Sequence, residues 1–192
     1  MGIPGNTEHT GNTEHTGNTG NTGRGAAAPT WSAFSAAEPA LAATVRERFG
    51  RYTHHVLATV RKDGSPRLTG LEVNFRLGEL WLAMMPNSRK ALDLRRDPRC
   101  SLLANPGAGT DMDGGDVRVS GRAVEVTDPE TTERFAREVG APLPFHLFLM
   151  EPTEVVRTSV EDDELVVRTW SPGRTVRTIR RGNDDAAPRQ DP

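Results

Sequence analysis

The most chemically able cluster in this sequence is Ser88-Arg89-Lys90. It follows the apolar run Leu80-Trp81-Leu82-Ala83-Met84-Met85 and the turn residues Pro86-Asn87. Serine is a strong N-cap, so Arg89 and Lys90 fall in the first turn of a predicted helix that Pro98 stops. Cations there oppose the helix macrodipole, at about 0.3–1 kcal/mol each. A helix shaped only for stability would carry Asp or Glu instead. The arrangement becomes favourable once an anion sits at that terminus. Free backbone N–H groups, a hydroxyl, a guanidinium fork and an ammonium then converge on one phosphate. Spacing alone leaves two readings open: a phosphate site, or two solvated cations that tolerate a small penalty.

The other reactive residue types are scattered. His54 and His55 open a predicted strand, whose alternation sends them to opposite faces, one exposed and one packed. His146 lies in the apolar run Phe145–Met150 and reads as a hydrogen-bonded histidine of the core or of an interface; ligand contact is its rival reading. Cys100 is the single cysteine. It excludes an intramolecular disulfide framework and any CxxC metal spacing, and reads as a small packed hydrophobe. Asp111, Asp113 and Asp116 resemble part of a calcium loop but lack its sixth-position Gly and closing Glu. A loop without metal is expected there, and no metal site is expected elsewhere; His9 and His15 offer weak coordination at most. Glu161-Asp162-Asp163-Glu164 reads as a solvated hairpin turn. No residue stands out as an acid–base or covalent catalyst.

The elements that must position these groups follow from pattern. The chain has 192 residues, a net charge of −2, 35% hydrophobic and 26% charged residues. Residues 1–30 carry two GNTEHT units and two shortened copies with almost no apolar side chain, the composition of a disordered tail. Residues 31–181 suffice for one domain, and 182–192 form a second polar tail. A helix is predicted over Ser35–Phe49, with Ser35 and Glu38 at capping-box spacing. Strands are predicted over Val56–Arg61, Arg67–Arg76 and Glu79–Met85, joined by turns at Asp63-Gly64 and Leu77-Gly78. The Ser88–Arg96 helix is followed by strands at Arg99–Ala104 and Val117–Val126. Asp128 caps a helix that has Pro129 at its first position and Gly140 after its end. Phe145–Met150, Glu154–Val160, Glu164–Trp170 and Thr175–Arg180 complete the strands. Hairpins dominate and helices are few, which argues for a mainly β, antiparallel barrel with peripheral helices. No run approaches membrane-span length and no hydrophobic leader is present, so a cytoplasmic protein without a membrane partner is expected. Near-neutral charge and one Tyr argue against a nucleic-acid partner.

Five segments, in order and at matching spacing, resemble the pyridoxamine 5′-phosphate oxidase-like flavin-binding split barrels. They are Leu57-Ala58-Thr59-Val60, Asp63-Gly64-Ser65-Pro66, the Leu80–Met84 strand, Ser88-Arg89-Lys90-Ala91, and Arg96-Asp97-Pro98-Arg99-Cys100-Ser101-Leu102-Leu103. Val119–Val126, Phe145–Phe148 and Trp170-Ser171-Pro172-Gly173 are similar to trailing parts of short members. The resemblance implies an antiparallel split β-barrel of the FMN-binding type, a homodimer with its cofactor at the subunit interface, and hydride transfer to or from a small unsaturated substrate. It implies that Ser88, Arg89 and Lys90 hold the cofactor phosphate, that Arg67, Thr69, Gly70 and Leu71 lie along the flavin ring, and that Ala83 and Met84 line the same site. The basic end Arg174, Arg177, Arg180 and Arg181 is then either a solvated edge or a reach toward a partner subunit's cofactor. True pyridoxamine-phosphate oxidases carry an Arg and a Lys where Thr69 and Asn74 stand here; Arg67, on the same face as Thr69, is the available substitute. Their Arg-Leu pair after Trp-Gly is replaced by Trp170-Ser171-Pro172-Gly173. These departures argue against pyridoxamine phosphate as substrate. They leave FMN and an F420-type deazaflavin as cofactor alternatives, with a haem-binding barrel or a non-catalytic flavin-storage module as rival functions.

Overall fold

Alternating apolar residues give the strands of the first half a face to bury, and the chain joins its strands in a single antiparallel sheet around a core. The computed structural model describes residues 29–108 and 114–191. The GNTEHT repeats, with His9 and His15, and also Asp111 and Asp113, lie outside the described residues. The strands are β1 (His55–Val60), β2 (Pro66–Leu71), β3 (Val73–Arg76), β4 (Glu79–Met84), β5 (Arg99–Leu103), β6 (Asp116–Val126), β7 (His146–Glu161), β8 (Glu164–Trp170), β9 (Arg177–Arg181) and β10 (Arg189–Gln190). They pair in the order β10-β9-β8-β7-β6-β5-β1-β2, and the β3–β4 hairpin joins through β4 to β7. The helices are α1 (Trp31–Ala37), α2 (Pro39–Gly50), α3 (Arg89–Arg96) and α4 (Pro129–Val139). This is the mainly β antiparallel barrel with peripheral helices that the pattern implied, in the split form that the resemblance implied.

Three differences from the sequence reading have physical causes. The single helix expected over Ser35–Phe49 is two helices broken at Glu38, whose φ of −133° and ψ of 67° leave the helical region. Pro39 disfavours helical backbone in the residue before it. Thr30 caps α1 in place of Ser35, accepting from the Ala33 N–H at 3.1 Å. The strand expected over Arg67–Arg76 divides at Glu72, so β2 pairs with β1 and β3 with β4. The two strands expected at Phe145–Met150 and Glu154–Val160 are one strand of 16 residues. Pro152 sits between the two expected runs, and the strand continues through it with a register shift opposite Gly121. A Cβ on Gly121 would stand 2.1 Å from the Glu151 carbonyl oxygen, so only glycine lets the two backbones close.

Trp31, Phe34 and Trp170 stack edge-on or tilted at 5.1 and 4.6 Å at one end of a core that runs through Leu57, Leu82, Leu102 and Met150. A smaller cluster of Trp81, Phe135 and Leu147 seats α4 on β4 and β7. Asp128 caps α4 by accepting the Thr131 N–H at 2.8 Å, and Gly140 ends it at φ 68°, as expected. Arg189–Gln190, in the stretch read as a polar tail, pairs with β9.

Candidate functional site

Alternation on β2 sets the first wall of the site. Arg67, Thr69 and Leu71 point inward, while Leu68 and Gly70 point out. Ser88 stands at the N-cap of α3 with extended backbone, as the sequence suggested, yet its side chain makes no cap bond. The Ser88 Oγ and the Thr69 Oγ1 are both buried without a hydrogen-bond partner. A buried hydroxyl left unpaired costs about 1–3 kcal/mol, and the first-turn N–H groups of α3 lack intrahelical acceptors as well.

Two cavities flank this turn. One, of about 430 Å³, is lined by Gly70, Leu71, Ala83, Met84 and Lys90, with Phe135 and Val139 of α4 forming its far wall. Lys90 donates from Nζ to the Gly70 carbonyl at 2.6 Å, and burial pulls its ammonium below the usual lysine range. The other, of about 610 Å³, is lined by Arg61, Lys62, Arg67, Arg89 and Arg96 around Asp93. Five of the expected site residues thus share the first cavity, Arg67 and Arg89 share the second, and the two orphan hydroxyls of Thr69 and Ser88 belong to the elements between them.

Asp93 is the residue that sequence reasoning missed. It is 4% exposed and accepts from Arg67 Nε at 2.6 Å, Thr59 Oγ1 at 3.0 Å and Arg96 Nη2 at 3.2 Å. Arg67 does lie on the face of Thr69, as expected, and its anchor is this carboxylate; its Nη groups have no partner among the described residues. An acidic residue between Ala91 and Leu94, both buried, was the signal available in the sequence.

The remaining candidates separate as follows. His54 is exposed and faces Glu72 at 3.7 Å at the edge of the 430 Å³ cavity. His55 is buried, accepts the Asn105 N–H on Nδ1 at 3.1 Å, and is held below the usual histidine range by burial. His146 has both ring nitrogens engaged, by the Asn87 N–H and by Glu125, so haem ligation through it would first break one of those contacts. Cys100 is packed against Met150, and burial pushes its thiol up to about 12. Glu161 and Glu164 are not solvated turn residues. Asp162 and Asp163 make the turn, at φ 51° and 65°, and the two glutamates pair with Arg168, Arg180 and Arg189. Arg180 also bonds Asp191, so it is consumed within its own chain.

Comparison with known proteins adds an independent finding. Residues 41–159 match the family model described as pyridoxamine 5′-phosphate oxidase. No curated protein matches. Among solved structures, a conserved hypothetical protein from Mycobacterium tuberculosis is 26% identical, covering 67% of this chain and 83% of its own, with a TM-score of 0.48. A protein of unknown function from Agrobacterium tumefaciens is 19% identical over 63% of this chain and 57% of its own, at a TM-score of 0.50. PhzG from Burkholderia lata, solved with tetrahydrophenazine-1-carboxylic acid, is 18% identical over 82% and 90%, at 0.44. A match running from α2 to the end of β7 spans the barrel and the turn at Ser88 together, and on that match the chain belongs to the pyridoxamine 5′-phosphate oxidase family.

Proposed function

We propose that this protein is an oxidoreductase that binds FMN, with the phosphate at the N-terminus of α3 and the ring in the 430 Å³ cavity. The observation that carries this reading is the pair of buried, unpartnered hydroxyls on Thr69 and Ser88, set among Arg67, Arg89 and Lys90. A phosphate would accept hydrogen bonds from both hydroxyls and from the first-turn N–H groups, and it would neutralise cations that otherwise oppose the helix dipole. Met84, Leu71 and Phe135 supply apolar walls for a planar ring. When bound, the flavin supplies the hydride chemistry; the protein binds it, orients it and excludes water. The substrate is then a small unsaturated molecule that reaches the ring through the open side of the cavity. The basic 610 Å³ cavity next to Arg89 favours one further reading, an F420-type deazaflavin whose additional negative charges would extend there.

Titration of the cofactor-free protein with FMN and with the deazaflavin tests both. Trp81 packs on Phe135 at 5.8 Å, so its fluorescence reports occupancy of the cavity. Micromolar or tighter binding is expected, with Arg89→Ala and Lys90→Ala each weakening it by about 10- to 100-fold, the worth of a charged hydrogen bond. Tight binding unaffected by both substitutions would displace the phosphate from α3. Absence of binding by either cofactor would overturn the reading and leave haem as the ligand to try. Bound flavin that no donor reduces would identify a storage module.

A further inference from the structure

His146 borders the turn that leads into α3. It opens β7 opposite Met84 of β4. Its Nε2 accepts the backbone N–H of Asn87 at 3.1 Å. Asn87 has φ 58° and stands one residue before Ser88, so this bond fixes a left-handed turn residue at the entrance to the α3 N-terminus. A backbone N–H can only donate, so the bond from Asn87 assigns the neutral tautomer with a bare Nε2 and its proton on Nδ1. Glu125 Oε1 of β6 stands 3.1 Å from Nδ1 and is the acceptor available to that proton. Arg95 Nη2 of α3, a donor only, stands 3.0 Å from the same nitrogen, while its guanidinium holds Glu125 through two bonds of 2.7 Å. Among the described residues, Glu133 of α4 lines the same cavity of about 320 Å³. The imidazole is only 17% exposed.

We propose that His146 is a positioning residue for the phosphate turn: its neutral ring holds Asn87 through Nε2, and a proton on that nitrogen releases the turn and weakens anion binding at Ser88-Arg89-Lys90. Protonation sets two donors, Nε2–H and the Asn87 N–H, against each other. Glu125 and Glu133 favour the extra charge and Arg95 opposes it, but none of them can restore the lost acceptor. A proton on Nε2 therefore weakens binding of a phosphate-bearing ligand at the α3 N-terminus. The binding half of this inference rests on the phosphate reading above; the hold on Asn87 does not.

The test compares wild type with His146→Gln, whose amide oxygen can accept from Asn87 and does not titrate. Amide hydrogen exchange at Asn87, corrected for its intrinsic pH dependence, is followed in cofactor-free protein at pH 5.5 and 7.5. FMN affinity is measured at the same two values; the FMN phosphate itself ionises near pH 6, and the variant supplies that baseline. Wild type is expected to lose about tenfold in Asn87 protection at pH 5.5, and to show a pH 7.5 to 5.5 affinity ratio about tenfold larger than the variant's. Equal pH dependence in the two proteins overturns the proposal, as does a switch in exchange with no switch in FMN affinity. If FMN binds at neither pH while exchange still switches only in wild type, the hold on Asn87 stands and the phosphate reading falls. Ring nitrogen-15 shifts of the wild type at pH 7.5 give a check that needs no variant: the Nδ1–H tautomer is expected, and the Nε2–H tautomer overturns the proposal.

Discussion

Asp93 carries its charge where water hardly reaches, and the three donors around it make that charge tolerable. Burial alone would push its carboxyl up; the hydrogen bonds from Arg67, Thr59 and Arg96 outweigh burial and leave it below the usual aspartate range. A lowered folded-state value means that the stabilisation is fully present above the unfolded value of about 3.9 and is lost as pH falls through the folded one. Asp93→Asn keeps an acceptor for Thr59 but loses both charged bonds. It is expected to lower stability at pH 7 by about 1–3 kcal/mol and to flatten the stability profile below pH 4, as measured by urea unfolding across pH. FMN binding should weaken several-fold with it, because Arg67 loses its anchor. The cationic side of this site was legible from Ser88-Arg89-Lys90, where residue type and helix position conflict locally. The anionic side was legible only as an acid set between Ala91 and Leu94; its partner was not, since Asp93 and Arg67 are 26 residues apart.

Gly121 and Pro152 together decide how β6 and β7 run past each other. The proline removes a ladder donor and the glycine admits the close approach, so the pair absorbs one register shift and lets β7 continue for 16 residues. Gly121→Ala sets its Cβ against the Glu151 backbone. A loss of about 3 kcal/mol or more is expected, read as a lower urea midpoint, with cofactor affinity kept in whatever fraction folds. Hairpins with strong turn signals were readable because their information is local: Leu77 and Gly78 take positive φ at 52° and 81°, the geometry that a two-residue turn requires. The continuity of β7 was hidden because Pro152 reads as a breaker unless its partner Gly121 is already known to be opposite. The break at Glu38-Pro39 was signalled by the proline, but the capping-box spacing of Ser35 and Glu38 pointed to a later start.

Across the whole molecule, the sheet ends at β2, and Leu68 stands on that edge strand at 69% exposure. Among the described residues no strand pairs with the outer edge of β2; an unpaired edge is a pairing surface, and it lies beside the proposed cofactor site. The expected homodimer should use it. Leu68→Arg is expected to shift sedimentation from dimer to monomer and to weaken FMN binding in parallel; a dimer unchanged by the substitution would move the interface elsewhere. β7 has a different kind of consequence. It pairs with β4 on one stretch and with β6 and β8 on others, so both walls of the barrel wait for it. During synthesis the turn at Ser88 leaves the ribosome well before Leu149, the last β7 partner of β4, does. At roughly 5–20 residues per second, about 3–13 s pass in which β4 has no partner but β3. Over that interval the nascent chain exposes Trp81 and Leu82 on an open edge, a segment suited to chaperone capture, and a ribosome stalled between residues 90 and 149 would hold that edge open.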